Sequence, residues 1–289
     1  MSILRRILRK DQNYLVGEVQ LRLPFDHALS RYQARFPTYD ALLPLLAANL
    51  PKASLVIDIG ANVGDTIAGM ASANPELHFA AVEPSADFLP YLAANCDELE
   101  RSYPSLKVEI VRAFISDDLP IGGLEGKAGT RRAVVGDPSR QTIQNITLDH
   151  LVEHFTGRAI SLVKVDADGF DWSVLASGII FFEKERPLLF FGTELGLSFE
   201  HFDRYVEEIL YLARCGYRFT IFDNLEAPIL EFQQAEVVRQ MLLYLISSHA
   251  NLSKMIYYYD ILASTASTDA LVRSTLDVWS HKLAIIYFT

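Results

Sequence analysis

From residue 52 onward, short apolar runs alternate with amphipathic stretches. Residues 55–59 form one such run, closed by Gly60, and read as a buried strand. Asp65 and Thr66 then open a helix through about residue 72, with an acidic group at the positive end of the helix dipole. Residues 79–82 predict a second strand, closed by Glu83, Pro84 and Ser85, and a helix follows over roughly 86–100. Strands are predicted at 108–111, 161–165 and 188–192, the last preceded by Pro187, which suits the edge of a strand. Residues 201–214 carry a helical apolar stripe stopped by Gly216, and 217–222 read as another strand. Two further helices are expected at 235–249 and near 269–282, and the Tyr257-Tyr258-Tyr259 run reads as a strand with alternating faces.

Short apolar strands alternating with helices specify an α/β fold, a doubly wound and mostly parallel sheet covered on both faces. Residues 1–50 are expected to be an N-terminal segment packing on a core domain of residues 51–289. Within that domain, about 117–144 reads as a loop or irregular hairpin insertion, holding Gly122, Gly123, Gly126, Gly129 and Gly136. About 228–289 reads as a C-terminal extension.

Composition narrows the class. The 289 residues are 50% hydrophobic, which excludes a disordered or low-complexity chain. Two cysteines, Cys96 and Cys215, exclude a disulfide framework and a Cys-rich zinc module. Lysine and arginine number 26 against 36 acids, a net charge of −10, which argues against a nucleic-acid partner. No apolar stretch approaches the roughly 20 residues a membrane span needs. The start, MSILRRILRK, lacks the apolar core and cleavage site of a signal peptide, so a cytoplasmic location is expected. Charge is uneven, however: residues 1–36 hold seven basic and three acidic groups. Ile3, Leu4, Ile7 and Leu8 recur beside the arginines at helical spacing. Residues 1–12 are therefore either a solvated first helix or a peripheral contact with an anionic membrane surface.

The candidate chemistry begins at Asp58-Ile59-Gly60-Ala61-Asn62-Val63-Gly64-Asp65-Thr66. A strand delivers a glycine turn and then a helix, where glycines permit close backbone approach to a ligand. The spacing differs from the G-x-G-x-x-G fingerprint of dinucleotide sites. Asp58 and Asp65 flank the loop, and would repel a pyrophosphate while suiting a cation such as a sulfonium with its ammonium group. The second strand ends in Glu83, 19 residues beyond Gly64, where a carboxylate accepts from both hydroxyls of a ribose. An adenosyl ligand with a positive tail satisfies both features.

These residues, with Val82-Glu83-Pro84-Ser85 and Lys164-Val165-Asp166-Ala167-Asp168-Gly169-Phe170-Asp171-Trp172, strongly resemble the FkbM-type methyltransferases, class I S-adenosylmethionine-dependent enzymes. Thr147-Leu148-Asp149 is also similar, and the resemblance covers about residues 36–225. It implies a seven-stranded Rossmann-like sheet with S-adenosyl-L-methionine over its first two strands. It also implies O-methylation of a hydroxyl on a small-molecule or glycan acceptor, a sugar of a polysaccharide or a secondary metabolite. Carried onto this sequence, Asp58, Gly60, Asn62 and Gly64, with Asp65 and Thr66 at the helix start, form the methionine-side cradle. Glu83 clamps the ribose, and Pro84 and Ser85 flank the adenine. Ser116 and Asp117 border the adenine, with Asp118 an equal candidate for its exocyclic amine.

Asp166 and Glu194 follow the ends of adjacent predicted strands, which lie about 4.8 Å apart, so both carboxylates can converge beside the methyl donor. There a carboxylate can accept a proton from an attacking hydroxyl, or two can hold a divalent cation, although no metal-ligand motif is present. Asp166 can equally face the ligand's ammonium group, and Asp168 either contributes to the site or shapes the turn. Lys164 is ambiguous. His150 and His154 have a metal-compatible spacing but lack an H-E-x-x-H context, and His27 is either packed or close to the acceptor. Two other readings remain, a nicotinamide-dependent oxidoreductase and a non-catalytic nucleotide-binding module in a glycan-assembly complex.

Overall fold

A computed structural model describes residues 10–117, 121–126, 129, 131–136, 143–195, 198–250 and 256–288. The amphipathic start at residues 1–9 and the alternative adenine partner Asp118 lie outside the described residues. The chain opens with a hairpin, β1 (Gln12–Val16) and β2 (Val19–Leu23). The first strand of the main sheet is β3 (Leu55–Ile59), followed by β4 (His78–Val82) and β5 (Lys107–Val111). Short strands β6 (Ala113–Ile115), β7 (Ile121–Glu125), β8 (Arg132–Val135) and β9 (Gln144–Ile146) come next. The sheet then resumes with β10 (Ile160–Val165), β11 (Leu188–Gly192), β12 (Arg218–Asp223), β13 (Pro228–Gln233) and β14 (Tyr259–Ser264).

Eight strands pair in the order β13-β12-β14-β11-β10-β3-β4-β5. The block from β5 to β11 is parallel throughout, because helical crossovers return the chain to the same end. This is the doubly wound α/β fold expected, with one strand more than seven. The addition is β13, paired antiparallel to β12 at the edge. Asp223 closes the connecting turn, its Oδ1 accepting from the N–H groups of Leu225 and Ala227 at 2.9 Å each. The region expected to be a C-terminal extension also contributes β14, which runs antiparallel between β11 and β12, inside the sheet.

Each face of the sheet has its own apolar layer. Leu55, Ile57, Ile59, Val163 and Val165 face the layer that includes helix Phe199–Arg214. Val56 and Leu162 face the other, with helices Leu42–Ala48 and Asp65–Ala73. Strand alternation puts Asp58 and Lys164 on this second face. Val19, Leu21 and Leu23 of β2 belong to the same layer. Asn95 links β2 to the glycine loop: it accepts from Arg22 N–H at 2.8 Å and donates to the carbonyls of Arg22 at 3.0 Å and Val63 at 2.7 Å.

Several boundaries move. The second main-sheet crossover helix spans Leu89–Ser102, later than expected, since residues 86–87 form a turn before the Phe88 cap. The glycine-rich insertion holds the β7–β8 hairpin, with part of it outside the described residues. Of the three consecutive tyrosines only Tyr259 lies in a strand. Among the described residues, no helix is long and apolar enough to cross a membrane.

The parallel sheet reverses its winding between β3 and β10, which are hydrogen-bonded neighbours. Such a switch point opens a crevice at the carboxyl ends of the strands. Gly60 leaves β3 there with φ +82°, and a Cβ on it would stand 2.1 Å from the carbonyl oxygen of Asp166. The chain after β3 must therefore be glycine on two independent grounds, handedness and close approach. Gly60→Ala is expected to lower unfolding free energy by roughly 2–4 kcal/mol. A urea titration with an unchanged midpoint would contradict this.

Candidate functional site

A cavity of about 1200 Å³ opens at the switch point, above the carboxyl ends of the parallel strands. Gly60, Asn62, Asp65 and Thr66 form one wall, Glu83 and Pro84 a second, and Asp166, Asp168 and Glu194 a third. Four segments distant in sequence meet there because β11, β10, β3 and β4 are consecutive neighbours. Ser116 also lines the cavity, its hydroxyl donating to Asn145 Oδ1 at 2.8 Å.

Four of the sequence-derived candidates lie behind this wall. Asp58 points to the covered face of β3 and is fully buried. Gly64 instead turns the chain into helix Asp65–Ala73 with φ +86°. Ser85 is buried at the next helix approach, its hydroxyl accepting from Asp87 N–H at 3.3 Å. Asp117 is engaged by the Ser173 hydroxyl, which donates to its Oδ1 at 2.6 Å. Strand alternation and local capping withdraw these four from the cavity surface.

Lys164, ambiguous from sequence, is the residue that joins two of the candidates. It stands opposite Asp58 in the β10–β3 register. Its Nζ lies 3.0 Å from Asp58 Oδ1 and 3.5 Å from Asp166 Oδ2, and donates to the Gly60 carbonyl at 3.4 Å. The lysine and Asp58 are buried, whereas the Asp166 side chain is 63% exposed. Burial works against the lysine's charge, but Asp58 and then Asp166 outweigh it and hold the ammonium pKa above its ordinary value. Burial raises the Asp58 carboxyl, and Lys164 opposes that rise. A buried lysine alternating with valines was the readable signal, since such a charge requires an acid on a neighbouring strand.

Glu83 ends β4 with its carboxylate divided between two backbone donors. Oε2 accepts from Asn62 N–H at 2.8 Å, and Oε1 from Ser85 N–H at 2.7 Å. Burial pushes its pKa up to about 7, against the effect of those two bonds. Asn62, with φ 51°, uses its side chain elsewhere: it donates to the Gly129 carbonyl at 2.6 Å and faces His27 Nε2 at 3.2 Å. His27 Nδ1 accepts from Leu29 N–H, so Nε2 carries the proton toward Asn62. The motif asparagine thus ties the insertion and the N-terminal segment to the glycine loop.

Further acids complete the cavity. Asp40, Asp171, Glu226 and Asp260 line it, and sequence reasoning did not find them as site residues. Burial is the leading cause that raises the pKa of each, to about 8 for Asp171, with neighbouring carboxylates adding to it. Glu226 is held by the N–H groups of Ala41 at 3.0 Å and Leu42 at 2.7 Å. Nine acidic side chains line the cavity against three arginines and one lysine, and a cationic ligand would favour the ionised form of those that burial disfavours. Among the described residues there is no group of three or more potential ligands that could hold a metal ion. His150 on helix Leu148–Glu153 stacks edge to face with the C-cap residue His154, and lies beside Glu153.

A glycine loop and a carboxylate at successive strand ends of a doubly wound sheet define a nucleotide-type cofactor fold. The sequence profile of the Methyltransferase FkbM domain matches residues 58–219, and the chain belongs to this methyltransferase family. That membership displaces the oxidoreductase reading. No curated protein matches the chain. Among solved structures, it is similar to a precorrin-6y C5,15-methyltransferase from Geobacter metallireducens at 11% identity and TM-score 0.42. That match covers 78% of this chain and 87% of the other. A methyltransferase FkbM from Methylobacillus flagellatus matches at 15% identity and TM-score 0.32, over 49% of this chain and 33% of that one. Fibrillarin from Aeropyrum pernix, in complex with S-adenosyl-L-methionine, matches at 11% identity and TM-score 0.40, over 88% and 82%. These likenesses are distant, and the family assignment rests on the profile.

Lys164→Met leaves the Asp58 carboxylate buried without its cation, an expected loss of about 3–5 kcal/mol at pH 8. The carboxyl pKa, already raised in the folded protein, rises further without the lysine. The folded variant then binds a proton that the unfolded chain releases, so its deficit against wild type narrows as pH falls through that pKa. Paired denaturation curves at pH 8 and pH 5.5 check this. A deficit that widens on acidification would contradict the assignment.

Proposed function

We propose that the protein is an S-adenosylmethionine-dependent O-methyltransferase acting on a hydroxyl of a sugar or secondary metabolite. The observation that carries this reading is the meeting of the Glu83 carboxylate, the Gly60–Gly64 loop and Asp166 around one cavity at the switch point. The donor set fits the adenosyl group. Each Glu83 oxygen accepts one backbone N–H, leaving one acceptor site per oxygen for a ribose diol. The surplus of carboxylates fits a sulfonium and an ammonium group.

Glu83 would hold the ribose, Pro84 and Ser116 would border the adenine, and Asp65 and Thr66 would face the methionine end. When bound, the cofactor supplies an electrophilic methyl group on positively charged sulfur. Asp166 accepts the proton of the acceptor hydroxyl on its carboxylate. Lys164, fixed by Asp58, limits the directions that carboxylate can take. Glu194 and Asp168 shape the same wall and position the hydroxyl. Gly129 and Arg131 of the insertion, His27 and Tyr39 of the N-terminal segment, and Tyr258 line the same cavity and would bound the acceptor.

Glu83→Ala should weaken S-adenosylhomocysteine binding at least about tenfold, measured by calorimetry on the folded variant. With a carboxyl pKa near 7, Glu83 becomes a better acceptor as pH rises. Wild-type affinity should therefore increase between pH 6 and pH 8, and the variant should not show that increase. Wild-type affinity in Glu83→Ala would remove Glu83 from the site.

Asp166→Asn should lower methyl transfer by roughly 10²–10⁴, the usual contribution of a positioned general base. Its melting temperature should change little, because the side chain is 63% exposed. Retained turnover with collapsed cofactor affinity would instead assign Asp166 to the cofactor.

A further inference from the structure

The acid-rich cavity has one wall of opposite character. Ala28, Arg31, Tyr32, Arg35, Phe36 and Tyr39 line it from one face of helix Leu29–Arg35 and its flanks, at three- and four-residue spacing. Tyr32 touches the rings of Phe36 and Tyr39, at centroid distances of 6.1 and 5.6 Å. The Arg35 guanidinium lies 5.2 Å from the Phe36 ring centre. Tyr257, 54% exposed, lines the same cavity, and Tyr32 is 51% exposed. Half-exposed rings facing a cavity suit the apolar faces of a sugar.

The two arginines differ from the other cations of the cavity. Lys164 is paired with Asp58, and Arg131 with Asp87 at 2.9 Å. Arg31 and Arg35 have no carboxylate partner among the described residues, although nine carboxylates line the same cavity. A four-residue interval brings them to successive turns, about 6 Å apart along the axis. Each guanidinium presents a planar fork of donors that matches a carboxylate or phosphate. The opposite requirement comes from Asp40, Glu226 and Asp260, whose carboxyl groups accept from hydroxyls when ionised and donate to them when protonated, and so suit hydroxyls in either form.

We infer that the acceptor is a polyol bearing one anionic group, a carboxylate or a phosphate, with Arg31 and Arg35 binding the anion and the tyrosines covering the sugar face. This deepens the methyl-transfer reading and rests on it. The anion would orient the polyol so that its hydroxyls face the carboxylates beside Asp166. The arginine pair would also offset the repulsion that a chain of net charge −10 exerts on an acidic ligand.

The test uses the full chain saturated with S-adenosylhomocysteine, whose binding is measured first. Absence of that binding would overturn the cofactor reading itself, separately from the acceptor. Glucose, glucuronate, glucose 6-phosphate and inorganic phosphate are then titrated by calorimetry at low salt. Glucuronate and glucose 6-phosphate should bind at least about tenfold tighter than glucose, the scale of a charge-assisted contact. Inorganic phosphate should bind more weakly than glucose 6-phosphate. In the double variant Arg31→Gln/Arg35→Gln the anion preference should vanish, while S-adenosylhomocysteine affinity and melting temperature stay as in wild type. Both arginines are exposed, so the fold is not at stake. Equal binding of glucose and the anionic sugars, phosphate binding as tight as glucose 6-phosphate, or a preference that survives in the double variant would overturn the proposal.

Discussion

Between β3 and β10 the chain passes so close to itself that the Asp166 carbonyl occupies the space of any side chain at Gly60, and directly beneath this contact Lys164 bridges Asp58 and Asp166. The backbone contact sets where the crevice opens. The ion pair keeps a charge in an otherwise apolar layer and carries it up to the cavity floor. A lysine and an aspartate buried together are a weak source of net stability, since desolvation opposes their attraction. Their value here is positional: one buried anion holds the cation, and the cation orders one exposed carboxylate.

Backbone strain collects around the same cavity. Seven non-glycine residues have left-handed φ among the described residues, and four of them, Asp40, Asn62, Asp168 and Glu226, line the cavity. All four carry short or acidic polar side chains that the surrounding hydrogen bonds and neighbouring elements must hold in place. Such conformations cost of order 1–3 kcal/mol each and persist where the surroundings over-determine them. Glu226 shows how: two backbone N–H groups hold its carboxylate and the Trp279 indole donates to its carbonyl at 2.7 Å. The cavity is therefore pre-formed by the scaffold, at some expense of local stability.

Asn62 and Asn95 extend this scaffold to the segments outside the sheet. Both are amides that satisfy donors and acceptors on two chain segments at once. Through them the N-terminal hairpin and the insertion are tied to the glycine loop rather than merely laid over it. An amide suits this task because it donates and accepts without a charge to desolvate.

The alternating strand and helix pattern, the glycine turn and the carboxylate at the end of β4 were legible in the sequence because each depends on neighbours a few residues away. Hydrophobic period, helix-start chemistry and the handedness of glycine are local properties. Glu83, Asn62 and Asp166 could be named on that basis, and all three reach the cavity. What the sequence left undetermined depends on pairs far apart in the chain. Lys164 acquires its meaning only opposite Asp58 in the β10–β3 register, and strand alternation then removes Asp58 from the cavity wall. Asp40, Glu226 and Asp260 come together only because β14 inserts between β11 and β12, and because the turn before β13 brings Glu226 against Ala41 and Leu42. Such convergence is set by long-range pairing and burial, which local patterns do not encode.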